Sequence, residues 1–159
     1  MCKSIADQTT AIDVWCTIMK IILTGKPYPQ PRVQVGKFGS YYNKKHKVKS
    51  KETLLQIISQ VNYYGWQVSD KPIRIDITTV SSCPQRLKKQ VVSKGKRLYK
   101  PTIPDIDNYT KYILDCITKS KRIWKDDKQV VELHQKDFYG AIGENPFTEI
   151  IIQELDVEG

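Results

Sequence analysis

Histidine and cysteine are sparse in this 159-residue chain, and their placement excludes the common metal sites built on them. His46 and His134 stand far from Cys2, Cys16, Cys83 and Cys116, and no C-x-x-C pair occurs. A zinc site is therefore not expected. The cysteines read as reduced thiols used as small hydrophobes in a reducing compartment. Long apolar runs are also missing. The best candidate, residues 15–23, is broken by Lys20 and falls well short of the ~20 residues that span a bilayer. Asp7 and Asp13 sit where a secretory signal would need an apolar stretch. There is no internal repeat and no low-complexity linker. These absences lead us to expect a single soluble, cytoplasmic domain, and the length agrees with that.

Acidic residues are outnumbered, with 17 Asp and Glu against 26 Lys and Arg, for a net charge of +9. A basic domain attracts polyanions, and nucleic acid is the commonest one in cytoplasm. The cations are also unevenly placed. Residues 43–51 carry Lys44, Lys45, Lys47, Lys49 and Lys51 with no acid. Residues 84–101 carry Arg86, Lys88, Lys89, Lys94, Lys96, Arg97 and Lys100, again with no acid. The second run reads as a mobile basic loop or arm, since so many cations cannot pack internally.

Hydrophobic residues make up 40% of the chain, enough for a real core. Residues 20–24 form a first expected strand, followed by an extended loop through Pro27, Pro29 and Pro31. The irregular stretch continues past Gly36 and Gly39. A helix is expected over about 50–64 from the spacing of Leu54, Ile57, Ile58 and Val61. A β-branched, alternating strand follows at 73–80. A second helix opens near Asp105 or Asp107, and strands follow at 129–139 and 148–155. The expected architecture is α/β (α+β), a single small domain with two main helices on one face of a mixed sheet. Residues 1–18 show no clear period. One reading makes Met19 the physiological start and 1–18 a dispensable extension of a 19–159 domain. The other makes 1–18 a short terminal helix packed on the sheet.

The most informative stretch is Pro104-Asp105-Ile106-Asp107-Asn108-Tyr109-Thr110-Lys111. Tyr109, Tyr112, Ile113, Cys116 and Ile117 define one buried helix face. At about 100° per residue, Asp107, Lys111 and Asp115 fall within about 80° of arc on the other side. Beyond the helix, Asp126-Asp127 enters the next strand. If that strand runs back beside the helix start, Asp127 approaches Asp105 and Asp107. Three converging carboxylates repel one another unless a cation lies between them. Oxygen ligands without imidazole favour a hard divalent ion, Mg²⁺ or Mn²⁺, which serves phosphoryl chemistry. Alternatively the acids only cap a helix and close a turn, leaving a basic DNA-binding module without catalysis.

The pattern Asp105-x-Asp107-Asn108-x-x-Lys111 with Asp126-Asp127-Lys128-Gln129-Val130 resembles the signature of RusA-type Holliday junction resolvases. The similarity extends to Gly25-Lys26-Pro27-x-Pro29-x-Pro31-Arg32 and to the basic segment before Pro104. The resemblance implies a small homodimeric endonuclease, bacterial or phage-encoded, that nicks four-way DNA junctions symmetrically with Mg²⁺ or Mn²⁺. No membrane and no small-molecule cofactor are implied. By position, Asp105, Asp107 and Asp127 look like the catalytic metal ligands, Asp126 like their support or a further ligand, and Lys111 like the essential lysine. Lys44, Lys45, Lys47, Lys49, Arg86, Lys88, Lys89, Lys94, Lys96 and Arg97 would contact DNA. Flaps and forks remain open as substrates. Tyr109-Thr110 stand where the family usually has an aliphatic pair, and Gln30 where a basic residue is frequent.

Overall fold

Alternation of β-branched residues builds the centre of the molecule, whose structure, a computed structural model, describes residues 17–157. Five strands, β1 (Ile18–Thr24), β4 (Ile73–Ser81), β5 (Leu98–Tyr99), β6 (Val130–Tyr139) and β7 (Phe147–Glu154), form one sheet in the order β1-β7-β4-β6-β5. β4 and β6 run parallel, and the other neighbours are antiparallel. Met19, Ile21, Leu23, Ile73, Ile75, Ile77, Ile150 and Ile152 alternate onto one face and are buried there.

Two helices cover that face. α1 (Lys44–Tyr64) inserts Ile57 and Val61, and α3 (Ile106–Ser120) inserts Ile113 and Ile117. They meet at a 2.7 Å hydrogen bond between the Thr53 and Tyr112 hydroxyls. Trp66 and Trp124 close the end of the core, with Trp66 Nε1–H donating to the Ile123 carbonyl at 3.1 Å. Gly65 ends α1 in the left-handed region at φ 67°, where its N–H reaches the Val61 and Asn62 carbonyls. The mixed sheet with helices on one face agrees with the architecture expected from the sequence.

Three segments differ from expectation. α1 begins at Lys44 and not near residue 50, so the first lysine run is part of the helix. The Asn43 side chain accepts from the His46 N–H at 2.8 Å and starts the helix, and His46 turns inward among Tyr28, Tyr42 and Tyr112. The supposedly irregular stretch at 34–41 contains a hairpin, β2 (Gln34–Gly36) and β3 (Gly39–Tyr41). The basic segment 84–101 is not a loop or arm. It forms a 3₁₀ turn (Gln85–Leu87), α2 (Lys88–Lys94) and β5. Buried Val91 anchors it, and Arg97 forms a two-pronged bond with Glu144 at 2.8 and 2.7 Å. Lys100 pairs with Asp137 at 3.4 Å, and an apolar anchor with two ion pairs to distant segments is invisible to charge counting. The readings of residues 1–18 lie, up to residue 16, outside the described residues. None of the described helices is long and apolar enough to cross a membrane.

Candidate active site

The buried stripe of α3 sets which side chains its other face presents. Tyr109, Tyr112, Ile113, Cys116 and Ile117 are all buried, so Asp107 and Lys111 are left outside, about two-thirds exposed and 3.4 Å apart. Asp105 occupies the N-cap position, yet its side chain makes no capping hydrogen bond. Its carboxylate stands free at the positive end of the helix dipole, where negative charge is stabilised. One turn further on, Asp115 pairs with Lys119 at 2.9 Å.

Asp126 and Asp127 are shaped by a different local device. Asp126 caps the 3₁₀ turn Asp127–Gln129, accepting from the Lys128 N–H at 2.9 Å. Gln129 reaches back to the N–H groups of Lys125 and Asp126, and donates to the carbonyls of Ser69 and Lys71. The glutamine of the D-D-x-Q-V pattern is thus the staple that holds both acids in place. The Lys128 N–H holds the Asp126 carboxyl below its ordinary range. Partial desolvation pushes Asp127 up, helped by its hydrogen bond to Asp126 and by the charges of Asp126 and Asp115.

β6 does run back along α3, since Thr110 Oγ1–H donates to Gln135 Oε1 at 3.0 Å. The acid pair, however, precedes β6. Asp126 and Asp127 follow the C-terminal end of α3, while Asp105 and Asp107 sit at its N-terminal end, and 15 helical residues span about 22 Å. Among the described residues, no three His, Cys, Asp or Glu side chains are close enough together to hold a metal ion. One chain therefore brings Asp105, Asp107 and Lys111 together and leaves Asp126 and Asp127 apart from them.

The acid that β6 does bring to Asp105 is Asp137. Both line a cavity of about 560 Å³ together with Lys100, Thr102, Ile103 and Gln135. Asp137 and Lys100 are almost wholly buried and 3.4 Å apart, and Lys100 also donates to the carbonyls of Thr102 and Ile103. This pair fastens the segment that leads through Pro104 into Asp105. Sequence reasoning missed it because Lys100 is one cation among many. The period-two phase of β6, which puts Leu133, Gln135 and Asp137 on the face toward α3, was the available signal.

The predicted DNA-binding cations divide between two places. Lys44, Lys45 and Lys47 are exposed on the first turn of α1 and Lys49 is half-buried; Lys44, Lys45 and Lys49 line a cavity of about 840 Å³ together with Lys26. Arg86, Lys88, Lys89, Lys94 and Lys96 are exposed on and around α2. Arg97 is committed to Glu144.

Comparison with known proteins bears on this arrangement. The family model described as Endodeoxyribonuclease RusA matches residues 24–153, from the end of β1 into β7. The chain belongs to the RusA endodeoxyribonuclease family. The matched span includes α3, both acid pairs and both basic segments, so the RusA match covers every candidate site residue. The chain is also similar to a Bacillus subtilis (strain 168) protein named Uncharacterized protein YqaN, 35% identical over 88 residues, which are 53% of this chain and 58% of that protein. The chain thus spans a little over half the length of that curated relative. At the two positions that depart from the usual RusA aliphatic pair, Tyr109 is buried beneath the Lys100 ammonium and Thr110 makes the bond to β6.

Proposed function

We propose that this protein is a divalent-metal-dependent endodeoxyribonuclease that resolves four-way DNA junctions by paired, symmetric nicks as a homodimer, in DNA recombination and repair. The observation that carries the reading is the uncapped Asp105 carboxylate beside the exposed Asp107–Lys111 pair, in a RusA-family chain with cations on both flanking segments. The donor set is all carboxylate oxygen, which fits Mg²⁺ or Mn²⁺ and not a soft ion. By resemblance to the family Asp105, Asp107 and Asp127 would hold it, with Asp126 in support; since one chain keeps Asp126 and Asp127 at the far end of α3, those two acids would come from the second protomer of the homodimer. Such an ion, when bound, makes water a nucleophile at neutral pH and offsets the charge that develops on phosphate.

The chain's own residues do the rest. Lys111 stands over Asp107, where its ammonium neutralises a non-bridging phosphate oxygen. The exposed lysines of α1 and α2 neutralise backbone phosphates, so binding weakens steeply with salt. Two sites related by a two-fold axis match the two-fold symmetry of a junction. Hydrolysis would leave a 5′-phosphate and a 3′-hydroxyl.

The test compares an end-labelled four-way junction with a linear duplex, a flap and a fork, under Mg²⁺, Mn²⁺ or EDTA, with Asp105→Asn alongside. Paired nicks in the junction, absent with EDTA and in the variant, are expected. Preferential cutting of flaps or forks would move the substrate. Tight junction binding without cutting under either metal would leave a DNA-binding protein.

A further inference from the structure

Residues 25–51 carry eight cations and no Asp or Glu, and they are clamped to the first turn of α3. The Gln30 N–H donates to the Asn108 carbonyl at 3.0 Å, one residue past Asp107. The Gln30 amide donates to the Tyr42 hydroxyl at 2.9 Å, which ties together the two ends of the segment holding β2 and β3. These bonds fix an acid-free surface beside the exposed Asp107–Lys111 pair.

That surface has two parts. The first is the cavity of about 840 Å³ between residues 26–29 and the first turns of α1. Pro27, Pro29 and Val48 line it with apolar surface, and Lys26, Lys44, Lys45 and Lys49 with ammonium groups. The one acid among its lining residues is Glu52. None of the four lysines forms an ion pair among the described residues. The second part is the hairpin that joins the two walls of the cavity along the chain. β2 and β3 pair with each other, and all six of their residues are exposed. At the turn between them Phe38 is 98% exposed, with the Lys37 ammonium 5.9 Å from its ring centre.

A ring held out in water contributes nothing to the fold and gains free energy only on meeting another flat apolar face. In a duplex the bases already stack on one another, whereas each base of an unpaired strand offers a free face. An electropositive groove for the backbone and an aromatic ring for a base are the two parts of single-strand recognition. An acidic peptide would satisfy the lysines and leave Phe38 without a role. We infer that the lysine-lined cavity and the hairpin together bind an unpaired DNA strand beside the active site, its phosphates on the lysines and one base stacked on Phe38. Such a strand is supplied by a branch point, a flap or a fork. Only its destination, the acidic site, rests on the nuclease reading, and binding is measured without cleavage.

The test is the fluorescence anisotropy of a labelled oligothymidine of about 15 nucleotides with the full chain in EDTA. The strand should bind. Phe38→Ala should weaken it about 5- to 150-fold and change binding of a blunt duplex less than about twofold. Phe38→Trp should retain binding, and oligothymidine should quench the fluorescence of the added indole. Lys44→Gln/Lys45→Gln should lower the slope of log affinity against log salt for the single strand by about 1.4. Tyr63→Ala, which removes an exposed ring elsewhere on α1, should leave strand binding as it was. Since Phe38 touches no core residue, an unchanged melting temperature separates lost binding from lost fold. No binding of oligothymidine, or equal losses on strand and duplex in Phe38→Ala, overturns the inference. So does a poly-glutamate peptide that displaces the strand as readily as unlabelled oligothymidine does, because the surface would then accept any acidic chain. Junction nicking that persists through such a failure leaves the nuclease reading in place. Strand binding without nicking under either metal removes that reading and keeps the strand site.

Discussion

Replacing Lys100 with methionine tests whether the ion pair behind the acidic helix start is as desolvated as its geometry shows. Its side chain and that of Asp137 are 7% and 6% exposed. The Lys100 ammonium sits 5.6 Å from the Tyr109 ring centre and 6.0 Å from that of Tyr139. It donates to the carbonyls of Thr102 and Ile103, each at 3.3 Å. Methionine keeps the apolar stem and removes the charge. Asp137 would then retain only the Thr79 hydroxyl, which donates at 2.8 Å. A buried ion left without its partner costs about 3–5 kcal/mol. For a chain of this size each kcal/mol moves the melting temperature about 2–4 °C, so the drop should be roughly 6–20 °C. Lys100→Met/Asp137→Leu removes both charges and should lose only about 0–2 kcal/mol, because no uncompensated charge remains. Denaturant unfolding of both variants, followed by circular dichroism, measures this. A single variant that loses less than about 1 kcal/mol, or a double variant worse than the single, would refute the desolvation argument. Because Lys100 holds the segment leading to Asp105, the single variant should also nick junctions more slowly below its melting temperature.

Asp107→Asn should abolish nicking and leave junction affinity within a few-fold in a gel-shift assay, since the cations that hold DNA lie on other elements. Lys88→Gln/Lys89→Gln should weaken binding to every DNA sequence alike and reduce the slope of log affinity against log salt by about 2. Asp127 is pushed up by partial desolvation, by its bond to Asp126 and by the Asp126 and Asp115 charges. Nicking should therefore fall on acidification from above the ordinary carboxylate range, as protons compete for the metal-binding oxygens. Asp126→Asn removes one cause and should shift that fall to lower pH. His46 is held below its usual pKa first by burial and then by the Lys119 charge, and its ring nitrogens have no hydrogen-bond partner. Its folded-state pKa is depressed, so its effect is absent above about pH 6.5, and stability declines as pH falls below that value. Urea unfolding as a function of pH should show the decline in the parent and a flatter profile in His46→Phe.

The sequence alone determined what depends on short-range periodicity. Ile73, Ile75 and Ile77 alternate as a strand must, and Tyr109, Tyr112, Ile113, Cys116 and Ile117 recur as a helix must, so both elements and their buried faces were legible. Because the buried stripe of α3 leaves only one exposed side, the shared exposure of Asp107 and Lys111 was legible with it. Interactions between residues far apart in sequence were not. Nothing near Lys100 announces Asp137, and nothing near Arg97 announces Glu144, because each pair forms only when separate segments meet. For the same reason a run of cations read as a loose arm became α2 and β5, held by Val91 and Glu144. The largest difference concerns Asp127. Local pattern put it on the way into a strand beside α3. Only the tertiary structure decided at which end of that helix it stands, because strand direction sets which residues oppose the helix start and the 3₁₀ turn stapled by Gln129 sets where the strand begins.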